Sequence, residues 1–191
     1  MTQANSSRSF RRRWKKISRR VRVPLGFIFA VVYFWIARPS TLSLLASLAL
    51  VGPGLLLRGY ASGHVKKNEE LATTGPYAYT RNPLYLGSLL IAFGFALASR
   101  SIWIAAALGV LFAAIYLPVI ADEEEYLRAH FAGYDEYARR VPRLLPKVFA
   151  RSGSGPGEFS PALYRKHREY NSLLGSFCIY LALIAKMGFM H

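Results

Sequence analysis

Two polar segments of the chain hold the side chains that could do chemistry. The first begins at Gly75 and reads Gly-Pro-Tyr-Ala-Tyr-Thr-Arg-Asn-Pro-Leu-Tyr-Leu-Gly. Asn82 and Pro83 suit the N-cap and first turn of a helix. Three phenols and the guanidinium of Arg81 crowd the same helix start, a place that suits a carboxylate or phosphate. The alternative is an aromatic belt at a membrane surface, with Arg81 reaching lipid headgroups.

The second segment opens with four consecutive acids, residues 122–125. They cannot share one helical face, because successive side chains are about 100° apart. Apolar residues then recur at spacings of three and four, which predicts one amphipathic helix or two short ones broken near Gly133. One interpretation is a solvated collar that ends a span, with Glu124 and Arg128 paired four positions apart. Carboxylates beside an anionic bilayer surface also suit a ligand such as the ribose hydroxyls of a nucleoside.

The blocks around these segments predict a membrane protein. Hydrophobic residues make up 53% of the 191, and the mean hydropathy is +0.21 although 25 residues are Lys or Arg. This combination excludes a soluble domain with a basic surface and predicts apolar spans separated by charged stretches. The single cysteine excludes an internal disulfide, and four scattered histidines give no metal-ligand pattern.

We therefore predict an all-α integral membrane protein with about five transmembrane helices and a cytoplasmic amphipathic helical segment that closes a pocket. The third apolar block is short and needs a turn from its flanks to cross a bilayer. Short connectors predict that blocks one and two, and blocks three and four, form helical hairpins. The five blocks are residues 21–37, 41–57, 84–98, 102–121 and 173–190.

The distribution of cations predicts the orientation. With the N-terminus in the cytoplasm, only Arg38, Arg100 and Lys186 lie at or near the far side, and all ten acids face the cytoplasm. We predict a multi-pass protein of a bacterial inner membrane or the endoplasmic reticulum, with both polar segments cytoplasmic. The predicted divisions are a basic arm (1–22), a membrane core (23–147, with the polar segments in 74–147), a flexible linker (148–160) and a C-terminal amphipathic stretch with its span (161–191).

The basic arm carries nine Lys or Arg residues and no acid. Its place directly before an apolar block favours anionic lipid headgroups as its partner, and we expect no nucleic acid. Near the other end, we expect Ser160 and Pro161 to open a helix, Cys178 to be a buried packing thiol, and His64 to lie on the surface.

The two polar segments together resemble a known family. The Gly-Pro-Tyr-x-x-x-Arg-x-Pro-x-Tyr-x-Gly run of residues 75–87, the Glu-Glu-x-x-Leu at Glu123, the Tyr-x-x-Tyr at Tyr134 and the Arg-Val-Pro before Pro146 are similar to isoprenylcysteine carboxyl methyltransferases and the related phospholipid methyltransferases. Eukaryotic members usually carry His where this chain has Asn82, which cannot titrate near pH 7.

The resemblance implies an integral membrane enzyme that binds S-adenosylmethionine between the two segments and methylates a lipid or lipidated substrate within the membrane. It implies catalytic roles for Arg81, Arg143 and Glu124. The residues that it assigns to the cofactor are Tyr77, Arg81, Asn82, Pro83, Tyr85, Gly87, Glu123, Glu124, Tyr134, Tyr137, Leu145 and Pro146. The glycine-rich turn of a soluble nucleotide-binding α/β domain has no counterpart in this sequence.

Two acceptors remain open. A carboxylate acceptor is already ionised at pH 7, so Arg81 or Arg143 need only orient it. An amine acceptor, as in a phosphoethanolamine headgroup, must first lose a proton, and Glu123, Glu124 or Glu125 would take it. Two other classes are a membrane scaffold without enzymatic activity and a nicotinamide-dependent protein resembling sterol reductases.

Overall fold

The computed structural model describes residues 27–66, 69–147 and 158–189. The chain divides into two compact units, Met1–Ala37 and Arg38–His191. The basic arm and residues 148–157 of the predicted linker lie outside the described residues. All regular structure in the described residues is helical.

Seven α-helices and one short 3₁₀ helix follow one another along the described chain. Helix α1 belongs to the first unit, and the other elements belong to the second. The bounds are α1 Phe27–Ile36, α2 Thr41–Ser62, the 3₁₀ turn Gly75–Ala78, α3 Pro83–Ser99, α4 Ile102–His130, α5 Tyr134–Arg140, α6 Pro161–Lys166 and α7 Tyr170–Phe189.

Three of the helices, α2, α4 and α7, are long and apolar enough to cross a membrane. Helices α1 and α3 are apolar but shorter, and the predicted first block begins at residue 21, outside the described residues. The structure thus confirms an all-α integral membrane protein. Helix α4 continues several turns beyond its apolar part, so the acids of the second polar segment extend the same helix.

Helices α2 and α3 form a close antiparallel hairpin. A Cβ atom added at Gly54 would lie 2.8 Å from the carbonyl oxygen of Gly87, and one added at Gly94 would lie 2.5 Å from Val51 Cγ2. The connector before α2 is held against the end of α3, because Arg38 N donates to Ser99 O at 3.0 Å. The close approach at Gly54 and Gly87 places the start of α3, and the first polar segment before it, against the second half of α2.

The C-terminal elements pack on the same hairpin. Ser160 caps α6 as predicted, since its hydroxyl accepts from Leu163 N at 3.4 Å.

The prediction of a surface His64 is wrong: its ring is buried and stacks edge-on with Tyr60. The prediction of a buried Cys178 is also wrong, because this thiol lies on an exposed face of α7.

Candidate functional site

The chain after the 3₁₀ turn and the chain after α5 are joined by backbone hydrogen bonds. Arg81 N donates to Pro142 O at 2.9 Å, and Lys147 N donates to Tyr79 O at 3.1 Å. The donors and acceptors lie outside the helices, so these bonds satisfy backbone N–H and C=O groups that have no partner within a helix. The two polar segments of the sequence therefore meet directly.

Buried side chains strengthen this junction. The hydroxyl of Thr80 donates to Leu144 O at 2.9 Å, and Asn82 Nδ2 donates to Arg143 O at 2.8 Å. Asn82 occupies the N-cap position of α3 as predicted, but its side chain makes no capping hydrogen bond to the described residues of that helix. That part of the prediction is wrong because the side chain of Asn82 serves the second segment instead of its own helix.

Tyrosines from both segments pack beneath the junction. The phenol of Tyr137 donates to Tyr77 O at 2.8 Å, and Tyr134, Tyr137 and Val141 form one buried cluster. Burial raises the pKa of Tyr77 and Tyr137 well above the usual value for a phenol. Both phenols are therefore neutral at pH 7, and that of Tyr137 acts as a structural donor.

Glu124 lies at the centre of the site, with only 5% of its surface exposed. Its Oε1 is 3.1 Å from Arg81 Nη1, and its Oε2 is 2.5 Å from Arg143 Nη2. The hydrogen bond to Glu124 raises the pKa of Arg143, so this guanidinium stays charged. Glu124 thus links α4 to Arg81, directly before α3, and to Arg143, after α5. The three residues predicted to be catalytic therefore lie together.

The alternative pairing of Glu124 with Arg128 is not found in the structure. Arg128 Nε instead binds Asp135 Oδ1 at 2.7 Å, and its guanidinium lies 5.6 Å from the ring centroid of Tyr134. Glu124 faces the junction, whereas Arg128 lies one turn further along α4 and reaches across to α5. This second pair fastens α5 to the end of α4.

Two buried polar atoms at the centre have no hydrogen-bond partner among the residues that the structure describes. They are Arg81 Nε and Glu124 Oε1. Arg81 Nη1 is near Glu124 Oε1 but donates its hydrogen bond to the phenol oxygen of Tyr134, at 3.1 Å. A donor and an acceptor left open in a buried position are unfavourable unless a ligand or water completes them. The centre therefore suits a ligand that carries both an acceptor and a donor.

An open cleft of about 480 Å³, within the roughly 300–1,000 Å³ of small-molecule sites, is lined by the same two residues, while the two atoms themselves lie buried beside it. Four arginines and two acids line it, so its wall is cationic. The sequence prediction missed four of the lining residues, which come from α5 and the end of α4. One of the four, Ala138, belongs to the apolar residues that recur there at spacings of three and four. The lining consists of Arg81, Glu124, Arg128, Asp135, Ala138, Arg139 and Arg143.

Other residues assigned to the cofactor lie around the cleft rather than in its wall. The phenol of Tyr85 donates to Glu123 Oε1 at 2.9 Å, on the side where α3 meets α4. Gly87 faces α2, because a Cβ atom there would lie 2.6 Å from Arg58 Cγ. Pro83 is fully buried, and Leu145 is exposed. Pro146 is exposed as well.

The fold and the site define a helical membrane protein with a cationic cleft at the end of its spans. The profile of the phospholipid methyltransferase family matches residues 22–133. Since this is more than half of the chain, the protein belongs to this family, which is part of the isoprenylcysteine carboxyl methyltransferase-like superfamily. The match includes Arg81 and Glu124 and ends before Arg143.

Two curated relatives carry names from metal resistance. The nickel-cobalt-cadmium resistance protein NccN of Alcaligenes xylosoxydans xylosoxydans is 36% identical over 118 residues, 62% of this chain and 48% of its own. The cobalt-zinc-cadmium resistance protein CzcN of Cupriavidus metallidurans is 35% identical over 136 residues, 66% of this chain and 62% of its own. This chain thus spans about half to two thirds of their lengths. No solved structure matches it significantly.

Proposed function

We propose that the protein is a membrane methyltransferase that uses S-adenosylmethionine to methylate an acceptor embedded in the lipid. The observation that carries the proposal is the buried Glu124 between Arg81 and Arg143, with an unsatisfied donor and an unsatisfied acceptor on residues that line a cleft. Family membership supports the reaction class.

The residues present fit this cofactor. Arg81 and Arg143 are suited to a carboxylate, because a guanidinium offers paired donors. Glu124 is suited to an ammonium or a hydroxyl, for which carboxylate oxygens are acceptors. When bound, S-adenosylmethionine supplies an electrophilic methyl group. The chain's own part is to orient the two reactants and exclude water, which accounts for most of the catalysis that such a displacement needs.

For the acceptor we propose a carboxylate carried by a lipid or lipidated molecule. Both acids on the cleft wall are already paired, Glu124 with two arginines and Asp135 with Arg128. Neither is placed to remove a proton from an amine, whereas Arg139 adds a further cation to the wall. The alternative acceptor is the amine of a phosphoethanolamine headgroup, for which Glu123 beside Tyr85 is the candidate base.

The binding of S-adenosylmethionine to Glu124→Gln tests the proposal. In lipid nanodiscs, we expect saturable binding to the unmodified protein and at least about tenfold weaker binding to the variant, since a hydrogen bond to a charged group contributes about 1.5–3 kcal/mol. The matched control is Glu136→Gln, which removes an exposed acid of α5 whose partner is Arg140.

The control variant should bind as the unmodified protein does. Isothermal titration in the same nanodiscs gives the affinity of all three proteins. Absence of saturable binding to the unmodified protein would contradict the proposed cofactor. Equal affinity in Glu124→Gln would leave Glu124 a structural link between the two polar segments.

The relatives' names favour a second function, a contribution to resistance against divalent metal ions. We assign it to the same site, as a consequence of a methylated membrane component. A strain that lacks the gene should then lose tolerance to nickel, cobalt or cadmium. The unmodified gene should restore tolerance, and Glu124→Gln should not. Restoration by Glu124→Gln would separate resistance from methyl transfer.

A further inference from the structure

A second charged network lies away from the cleft, between α2, α3 and the start of α7. Arg58 Nε donates to Glu169 Oε2 at 3.0 Å, and Arg58 Nη2 donates to Glu169 Oε1 at 2.9 Å. The two side chains are 21% and 10% exposed, so this is a largely buried, bidentate pair. Breaking one partner of such a pair leaves an uncompensated charge.

The remaining nitrogen of Arg58 binds the beginning of α3. Its Nη1 donates to Leu84 O at 3.2 Å and also contacts the hydroxyl of Ser88. The hydroxyl of Ser88 in turn donates to Leu84 O at 3.0 Å. The stem of Arg58 passes over Gly87, where any side chain would collide with it. One guanidinium thus ties the first turns of α3 to the carboxylate of Glu169.

Glu169 is held in place by its own turn. Arg168, directly before it, has a φ of 53°, a left-handed conformation that is unfavourable for a non-glycine residue. Such a conformation persists only where the surroundings fix it. Ser172 also donates to Glu169 Oε2, at 3.2 Å. The junction between α6 and α7 therefore aims the carboxylate of Glu169 at Arg58.

The turn of α3 that Arg58 holds directly follows Arg81 and Asn82. We infer that Glu169 is a positioning residue of the cleft: through Arg58 it fixes the start of α3 and so the place of Arg81 beside Glu124. The C-terminal helix, which lies beyond the family match, thereby belongs to the working site. The inference rests on the proposed function only in the experiment that measures the affinity for S-adenosylmethionine.

The experiment compares Glu169→Gln with Tyr180→Phe in the full chain in nanodiscs. Tyr180 also joins α7 to α2, through a hydrogen bond of 2.7 Å to Ser47, but its ring packs on Phe95, three turns beyond the start of α3. Both variants weaken the attachment of α7. Amide hydrogen exchange of residues 84–88, measured without any added cofactor, should be at least about tenfold faster in Glu169→Gln and unchanged in Tyr180→Phe.

The affinity for S-adenosylmethionine should fall about tenfold in Glu169→Gln and stay unchanged in Tyr180→Phe. Unchanged exchange at residues 84–88 in Glu169→Gln overturns the inference, whether or not the unmodified protein binds the cofactor. Absence of binding to the unmodified protein overturns the proposed function alone. If Glu169→Gln does not fold, Glu169→Asp takes its place in the comparison, because it keeps the charge and shortens the reach to Arg58. It should show a smaller change in the same direction, and unchanged exchange in Glu169→Asp would then overturn the inference.

Discussion

Glu124 carries a charge into a buried position, and its surroundings decide what that charge can do. Two arginines neutralise it, one before α3 and one after α5, so it joins segments that are far apart along the chain. A buried carboxylate with two such partners contributes little net stability over an apolar residue, because desolvation offsets most of the attraction. Its role is to place Arg81 and Arg143 side by side, facing one ligand.

The pH dependence of the rate distinguishes the two acceptors. Burial raises the pKa of Tyr77, Tyr134 and Tyr137, so these phenols remain protonated past their usual value of about 10 and add no limb to the profile. With a carboxylate acceptor, methyl transfer should therefore be nearly flat from about pH 6 to 8. A rate that climbs about tenfold per pH unit would instead indicate an amine that must lose its proton.

At the scale of helices, the break between α4 and α5 could be predicted, but its cause could not. The sequence predicted one amphipathic helix or two short ones broken near Gly133, yet this residue has a φ of −82°, which any residue adopts. Phe131 is the residue that leaves helical geometry, with φ −127° and ψ 109°, and its ring packs against the buried cluster of Tyr134. A spacing pattern shows which face is apolar, but not where packing turns the chain.

Gly75 is the position where backbone geometry constrains the first polar segment. Its φ is +57°, and a Cβ atom there would lie 2.6 Å from Cδ2 of the buried His64 ring. Gly75→Ala should therefore lower the free energy of unfolding by at least about 1 kcal/mol. Gly175→Ala is the control, since a Cβ atom at this position in α7 meets none of the described residues within 4 Å. The substitution also replaces glycine, a poor helix former, with alanine, a good one. Thermal unfolding in detergent should rank Gly75→Ala below the unmodified protein and Gly175→Ala at or above it.

At the scale of the whole molecule, the sequence predicted that the two polar segments meet but not the long-range pairs that align them. The resemblance to the methyltransferase family, carried by the order and spacing of the motifs, placed Arg81, Glu124 and Arg143 at one site. The pair of Arg58 and Glu169 is separated by 111 positions, and neither residue belongs to a motif or a local helical spacing. Only the packing of α7 on the α2–α3 hairpin creates it, so local rules could not reveal it.

The orientation of the molecule in the membrane is a prediction from the cation distribution, and positions in the connecting loops can test it. Ser40 and Ser101 lie in the two connectors opposite the cleft end of the helices, and Ala132 lies exposed between α4 and α5. Single cysteines at these positions, in a Cys178→Ser background that removes the exposed native thiol, report the side of each by labelling with an impermeant maleimide. Loss of the Ser40 or Ser101 cap costs about 1 kcal/mol, which the fold should tolerate.

With the protein in a bacterial inner membrane, labelling of intact cells should reach Ser40→Cys and Ser101→Cys, whereas Ala132→Cys should react only after the membrane is opened. The physical reason is that loops rich in Lys and Arg are retained in the cytoplasm. The connectors with Ser40 and Ser101 each carry a single cation, Arg38 and Arg100, whereas most of the other cations lie on the opposite side. With this orientation the cleft opens toward the cytoplasm, where S-adenosylmethionine is made. Labelling of Ala132→Cys in intact cells would show the opposite orientation, with the cleft on the side away from the cofactor. That result would contradict the proposed function.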